Sequence, residues 1–180
     1  ERAPLADARQ LPATIGIAHT RGATHGVPSE RNAHPPLPGG LAVVHNGIIE
    51  NFEAIKASLQ ARSYVFTSET DTEAIAHLIH SKLQSTPDLF EAVRLATAEL
   101  IGAYAIGVVA QADPFRVIVA RRGSPLLLGV GEEGMYAASD TAALLQVTRK
   151  VIYLEDGDVA ELRRDSYRIA LSDGTPVERE

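Results

Sequence analysis

Cysteine does not occur anywhere in the 180 residues. Its absence removes a disulfide framework and every Cys-based zinc site, and it withholds the thiol that could serve as a nucleophile. Long apolar runs are also missing: none approaches the roughly 20 residues of a membrane-spanning helix, so no membrane partner is expected. Positive charge is scarce and dispersed, with 17 Lys and Arg against 23 Asp and Glu, for a formal net charge of -6. The basic residues stand in ones and twos, which leaves no field that would hold a phosphate backbone, and no nucleic acid partner is expected. Neither H-E-x-x-H nor G-x-S-x-G is present, because Ser124 lies in Gly123-Ser124-Pro125, and a serine triad is not legible. Residue 1 is Glu, and residues 1–12 show no signal-peptide pattern, so the natural start is expected upstream; without cysteines or a membrane-length apolar run, the chain reads as cytoplasmic.

What is present is ordinary globular material. Hydrophobic residues make up 45% and charged residues 22%, which fits a single domain over residues 1–180. A β-prone run covers 13–19, and a long loop with Pro28, Pro35, Pro36 and Pro38 covers 21–40; loops of that length are usually functional or disordered. Leu41 to Val44 reads as a buried strand that ends at the polar residues His45-Asn46-Gly47. Asn51 is a good N-cap for a helix over 52–62, and 64–67 reads as a short strand. Thr70 and Glu73 have capping-box spacing ahead of a helix that begins near Asp71 and repeats Ile75, Leu78, Ile79 and Leu83 at helical intervals. Thr86-Pro87 opens a second helix that buries Leu89, Ala92, Val93, Ala96 and Leu100. Strands follow over 104–109, 115–120, 125–128 and 135–138, then a short helix within 141–148. Runs at 151–154 and 159–162 flank Asp156-Gly157, a hairpin signal. The order predicts an α+β layered domain.

Two motifs have bland readings that win. Gly129-x-Gly131-x-x-Gly134 follows an apolar strand, but Met135 to Ala138 continues as a strand where a dinucleotide loop needs a helix. A glycine turn is the better reading. His77 and His80 sit three residues apart on a helix, where a solvated or hydrogen-bonded core histidine is commoner than a metal ligand. No metal and no other cofactor are expected.

Three polar blocks read differently when taken together. Asn46 beside Gly47 offers a side-chain amide and a backbone N–H, the two neutral donors of an oxyanion hole. Asp71 supplies an anion for an ammonium, and Arg21 and Thr24 supply a guanidinium and a hydroxyl for a carboxylate. Each alone has a structural explanation; jointly they suit an α-amino acid with an amide side chain.

The blocks His19-Thr-Arg-x-Ala-Thr-His-Gly26, Asn32-Ala-His-Pro35, His45-Asn-Gly-Ile-Ile-Glu-Asn51 and Ser68-Glu-Thr-Asp-Thr-Glu73 closely resemble the glutaminase domain of class II glutamine amidotransferases. Within that class they look like the hexosamine branch, the isomerising glutamine–fructose-6-phosphate aminotransferases. The likeness continues through Ala138-Ser139-Asp140 and Leu154-Glu-Asp-Gly-Asp158. It implies a four-layer αββα N-terminal-nucleophile hydrolase sandwich, here without its first strand. It also implies hydrolysis of L-glutamine by an N-terminal cysteine through a thioester. By position, Asn46 and Gly47 would stabilise the oxyanion, Arg21, Thr24 and His25 would hold the α-carboxylate, and Asp71 the α-ammonium. His34 matches a position facing the sugar-binding part. Partners implied are the sugar isomerase domains of a longer, homo-oligomeric parent protein, to whose domains Val177 to Glu180 would lead. Two departures stand out: the nucleophile is absent, so the 180 residues by themselves are expected to be inactive, and Gly22 replaces the tryptophan that in the family gates ammonia. A non-catalytic amino-acid-binding domain and the glutaminase part of an amidophosphoribosyltransferase are the competing readings.

Overall fold

A computed structural model describes residues 14–20 and 38–180. Among them, β1 (Leu41–Ile49), β2 (Gly102–Ala110), β3 (Asp113–Arg122), β7 (Asp158–Leu162), β8 (Tyr167–Leu171) and β9 (Pro176–Val177) form a six-stranded sheet in the order β1-β2-β3-β7-β8-β9. β4 (Leu127–Val130), β5 (Met135–Ala138) and β6 (Val151–Tyr153) form a second sheet in the order β5-β4-β6. Every pairing within the two sheets is antiparallel.

Alternation along the strands sends side chains to two different cores. One face of the larger sheet, with Val43, Ile106, Val108, Ile118 and Val159, packs against the helices α1 (Phe52–Ala61), α2 (Asp71–Leu83) and α3 (Leu89–Thr97). The opposite face, with Ala105, Val119, Ala160 and Leu162, packs against Leu128 and Ile152 of the second sheet and Leu126 just before it. The short α4 (Thr141–Leu144) completes the layering: a Cβ on Gly129, which points away from the Leu128 face, would meet Leu144 and Thr148. The result is the expected αββα order, with a two-sided sheet at its centre.

Several expected elements take a different form. β1 does not stop at Val44 but runs through His45, Asn46 and Gly47 to Ile49, paired with β2 from Leu41↔Ala110 to Ile49↔Gly102. Residues 14–20 carry no regular secondary structure, and neither do 64–67; the amides of Thr67 and Ser68 go to the Glu73 carboxylate and not to a neighbouring strand. Asn51 makes no capping hydrogen bond. It ties helix α1 to the end of α3 instead, donating to Glu99 O at 2.9 Å and accepting from Ile101 N at 3.0 Å. The cap of α3 is Asp88, not Thr86. Asp156-Gly157 does not close a hairpin, since β6 and β7 lie in different sheets; Asp156 accepts from Gly123 N at 2.9 Å. The expected lead-out at Val177 to Glu180 is part of the domain: Pro176–Val177 pairs with β8, and Arg179 grips the fully buried Asp158 through Nε at 2.9 Å and Nη2 at 2.8 Å.

Helix α3 is fastened to the large sheet by charge. The buried Arg116 of β3 reaches Asp113, Glu161 of β7 and, at 2.8 Å, Asp88 at the N-cap of α3. Burial pushes the carboxyls of Glu161 and Asp88 up, but their hydrogen bonds outweigh it, to Arg116 and Arg163 for Glu161 and to Glu91 N and Arg116 for Asp88, and hold both below the ordinary range. Removing the cation takes away the buried partner of Glu161 and leaves that carboxylate only the exposed Arg163 and Arg168. Arg116→Met is therefore expected to cost about 3–5 kcal/mol at pH 7, read as a lower urea midpoint. Because both carboxyls are depressed in the folded state, the stability they supply is present at neutral pH and fades as pH falls through the carboxylate range.

Candidate active site

Five consecutive residues of β1 carry most of the local chemistry, and the strand alternation divides them between two faces. His45, Gly47 and Ile49 turn towards the helix layer, while Asn46 turns to the inter-sheet side. There a cavity of about 700 Å³ opens, bordered by Asn46, His19, Ala105, Val119, Met135 and Ser139. Asn46 is exposed, and its Oδ1 lies 2.6 Å from His19 Nε2.

Gly47 occupies a backbone position that only glycine suits. Its φ is +117°, and a Cβ there would sit 2.0 Å from Ala103 O on the paired strand. Gly102, which pairs with Ile49, has φ +125° and would place a Cβ 2.3 Å from Ile48 O. The two glycines let β1 and β2 approach where side chains would hold them apart. Gly47→Ala is expected to destabilise the fold by on the order of 3 kcal/mol or more, combining left-handed strain with a backbone clash; thermal unfolding by circular dichroism would register it.

Asp71 is buried at the first turn of α2, where a carboxylate suits the helix dipole. Its Oδ2 accepts from Ile49 N at 3.1 Å, and its Oδ1 lies 3.6 Å from Nδ1 of the buried His45. Thr72 Oγ1 is 3.4 Å from the same nitrogen. Asn46, Gly47 and Asp71 are thus brought together along one strand end, with Asn46 on the far face from Asp71. Arg21, Thr24 and His25, expected at the carboxylate, lie outside the described residues, as do Gly22 and His34.

The loop that sets Asp71 in place is held by Glu73. This carboxylate is fully buried and accepts four hydrogen bonds: from Thr67 N at 2.8 Å, Thr67 Oγ1 at 2.9 Å, Ser68 N at 2.6 Å and Ser68 Oγ at 2.7 Å. Thr70 caps the helix by accepting from Glu73 N at 3.3 Å. Only that half of the expected capping box forms, because the Glu73 side chain serves the preceding loop. Burial alone would push the Glu73 carboxyl up, yet its hydrogen bonds outweigh it and hold the group below its ordinary value. Glu73→Gln keeps the shape but turns an amide N–H₂ towards two of the four donors, and is expected to cost about 2–3 kcal/mol at neutral pH. The depressed carboxyl contributes at neutral pH and loses its contribution on acidification, so the gap between Glu73→Gln and the parent should narrow as urea midpoints are taken from pH 7 towards pH 3.

His45, His19 and Glu73 carry roles here that were not assigned from sequence; the signal was their membership in the same short polar blocks as Asn46 and Asp71. His77 packs against Tyr64 and Phe66 at centroid distances of 5.1 and 4.7 Å, and its burial pushes its pKa down against the opposing Glu73 charge. It is a core histidine. Gly129 lies within β4, and Gly131 to Gly134 forms the turn to β5, with Val130 paired to Met135.

Residues 19–146 match the glutamine amidotransferase domain family, and the chain belongs to it. The αββα order is that of the N-terminal-nucleophile hydrolases. The chain is 58% identical over 173 residues to the glutamine–fructose-6-phosphate aminotransferase (isomerizing) of Acidithiobacillus ferridurans, covering 96% of this chain and 28% of that protein. The Vibrio cholerae protein of the same name is 52% identical over 180 residues, all of this chain and 30% of the relative. Among solved structures, a glutamine phosphoribosylpyrophosphate amidotransferase from B. subtilis complexed with ADP and GMP superposes with a TM-score of 0.71 at 28% identity, covering 86% of this chain and 34% of that one. The chain thus spans less than a third of the length of the curated relatives it matches. No helix among the described residues is long and apolar enough to cross a membrane.

Proposed function

We propose that residues 1–180 form the glutaminase domain of a longer protein that releases ammonia from L-glutamine and transfers it to fructose 6-phosphate, giving glucosamine 6-phosphate. The observation that carries this reading is the convergence at one end of β1. Gly47, the exposed amide of Asn46 beside it and the buried Asp71 carboxylate tethered to Ile49 N meet at the same strand end, Asn46 on one face and Asp71 on the other. In this scheme the nucleophilic cysteine and the sugar isomerase domains belong to the parent protein, which assembles as a homo-oligomer in the cytoplasm.

The chemistry follows from the donor set. Attack on the side-chain carbonyl of glutamine turns its oxygen into an oxyanion, and Asn46 Nδ2 and the Gly47 N–H stabilise the charge as it develops. Asp71 pairs with the α-ammonium, its carboxylate held in place at the helix start by the Ile49 amide. Arg21, Thr24 and His25 take the α-carboxylate. Collapse expels ammonia and leaves a thioester, which water hydrolyses to glutamate.

The phosphoribosylpyrophosphate amidotransferase reading is supported by the superposition at TM-score 0.71, but its 28% identity stands well below the 58% of the aminotransferase relative. Product analysis separates the two, since the full-length protein should form glucosamine 6-phosphate in step with glutamate. Asn46→Ala is expected to lower kcat for glutamine hydrolysis by about 10²–10³. Asp71→Asn keeps an acceptor for Ile49 N but removes the charge, and should reduce kcat/KM by about 10–100-fold, mainly through KM. Full activity in both variants would sink the assignment, and glutamine binding without turnover by the full-length protein would favour a non-catalytic domain.

A further inference from the structure

The geometry points to His19 as the residue that decides which end of the Asn46 side-chain amide is presented to the substrate. The inference rests on Asn46 acting as an oxyanion donor. A carbonyl oxygen can only accept, so at the 2.6 Å contact the imidazole donates through Nε2–H to Asn46 Oδ1. The two ends of a primary amide are nearly the same size, and a half-turn about the last bond exchanges donor and acceptor at almost no steric cost. The chemical consequence is opposite. With Nδ2 turned to the cavity, the amide stabilises a developing oxyanion; with Oδ1 there, it repels one.

Packing does not make this choice, because Asn46 is exposed at the edge of the cavity. The contact to His19 is the hydrogen bond that the Asn46 side chain makes among the described residues. It joins residues 27 apart in sequence, across the gap between the segment 14–20 and β1, so it is not a by-product of a local turn. By occupying Oδ1, His19 leaves Nδ2 as the end available to substrate. His19 is therefore a positioning residue that acts through Asn46.

The test uses the full-length protein and glutamine hydrolysis followed by glutamate release. His19→Phe keeps a ring and removes the donor, and should lower kcat about tenfold, the worth of one orienting hydrogen bond, with KM for glutamine unchanged. His19→Gln, whose amide N–H can donate, should restore most of kcat. In an Asn46→Ala background, His19→Phe should cause no further loss, because the group it positions is gone. An unchanged kcat in His19→Phe overturns the inference. So does the same fold-loss in both backgrounds, or a rise in KM at constant kcat, either of which would make His19 a simple anchor for residues 14–20. If Asn46→Ala itself leaves kcat intact, the oxyanion assignment fails first and the role of His19 falls with it.

Discussion

The site depends on one buried carboxylate that does no chemistry. Glu73 is fully buried, and four donors from Thr67 and Ser68 converge on it. Those two residues belong to a segment with no strand partner, and Glu73 supplies the acceptor that a neighbouring strand would otherwise give the half-buried Thr67 N–H and the buried Ser68 N–H. By collecting them, Glu73 folds the 67–70 loop back onto the first turn of α2, where Thr70 caps the helix and Asp71 follows immediately. Asp71 can then reach Ile49 N on β1. The loop, the helix start and the strand end are locked into one corner whose geometry precedes any ligand.

Strand alternation explains why the corner has two sides. A single run from His45 to Ile49 sends His45 under the helix layer, against Asp71 and Thr72, and sends Asn46 across to the inter-sheet cavity, against His19. A one-residue shift in the pairing of β1 with β2 would exchange these faces and put a histidine where the amide belongs. The glycine pair guards the register. Gly47 and Gly102 are the places where β1 and β2 approach too closely for a side chain, and their tolerance exists only in the observed alignment.

The sequence made the layering and the site blocks legible because both are local patterns. Apolar alternation and helical spacing identified α1 to α3 and most strands, and the Ser68–Glu73 block signalled a capped helix beginning at Asp71. What it concealed were choices made by distant partners. Asn51 looks like an N-cap because its type suits one, yet Glu99 O and Ile101 N claim its side chain. Glu73 sits at the spacing of a capping box, and its carboxylate goes to Thr67 and Ser68. Asp156-Gly157 reads as a hairpin turn, but which sheet each flanking strand joins is settled by long-range pairing. Likewise, His45-Asn46-Gly47 looked like the end of a strand because polar residues are poor strand formers; each finds a reason to be there only once α2, β2 and the segment 14–20 are in place.

Fold and function claim these residues to different degrees, and that ordering decides what each can reveal. Gly47 is fixed by the fold alone, since Ala103 O forbids any Cβ whatever the role proposed for its N–H. Asp71 is divided: one oxygen holds Ile49 N, and a neutral isostere can keep that bond while losing the charge. Asn46 is the opposite case, exposed on a strand, held only through Oδ1 among the described residues, and contributing no core. A polar amide at such a place has little effect on folding, so its chemistry can be read without the confusion that burial brings. The strand therefore runs from a residue the fold requires to a neighbour the fold barely needs, and it is at that neighbour that the proposed oxyanion chemistry is separable from the architecture around it.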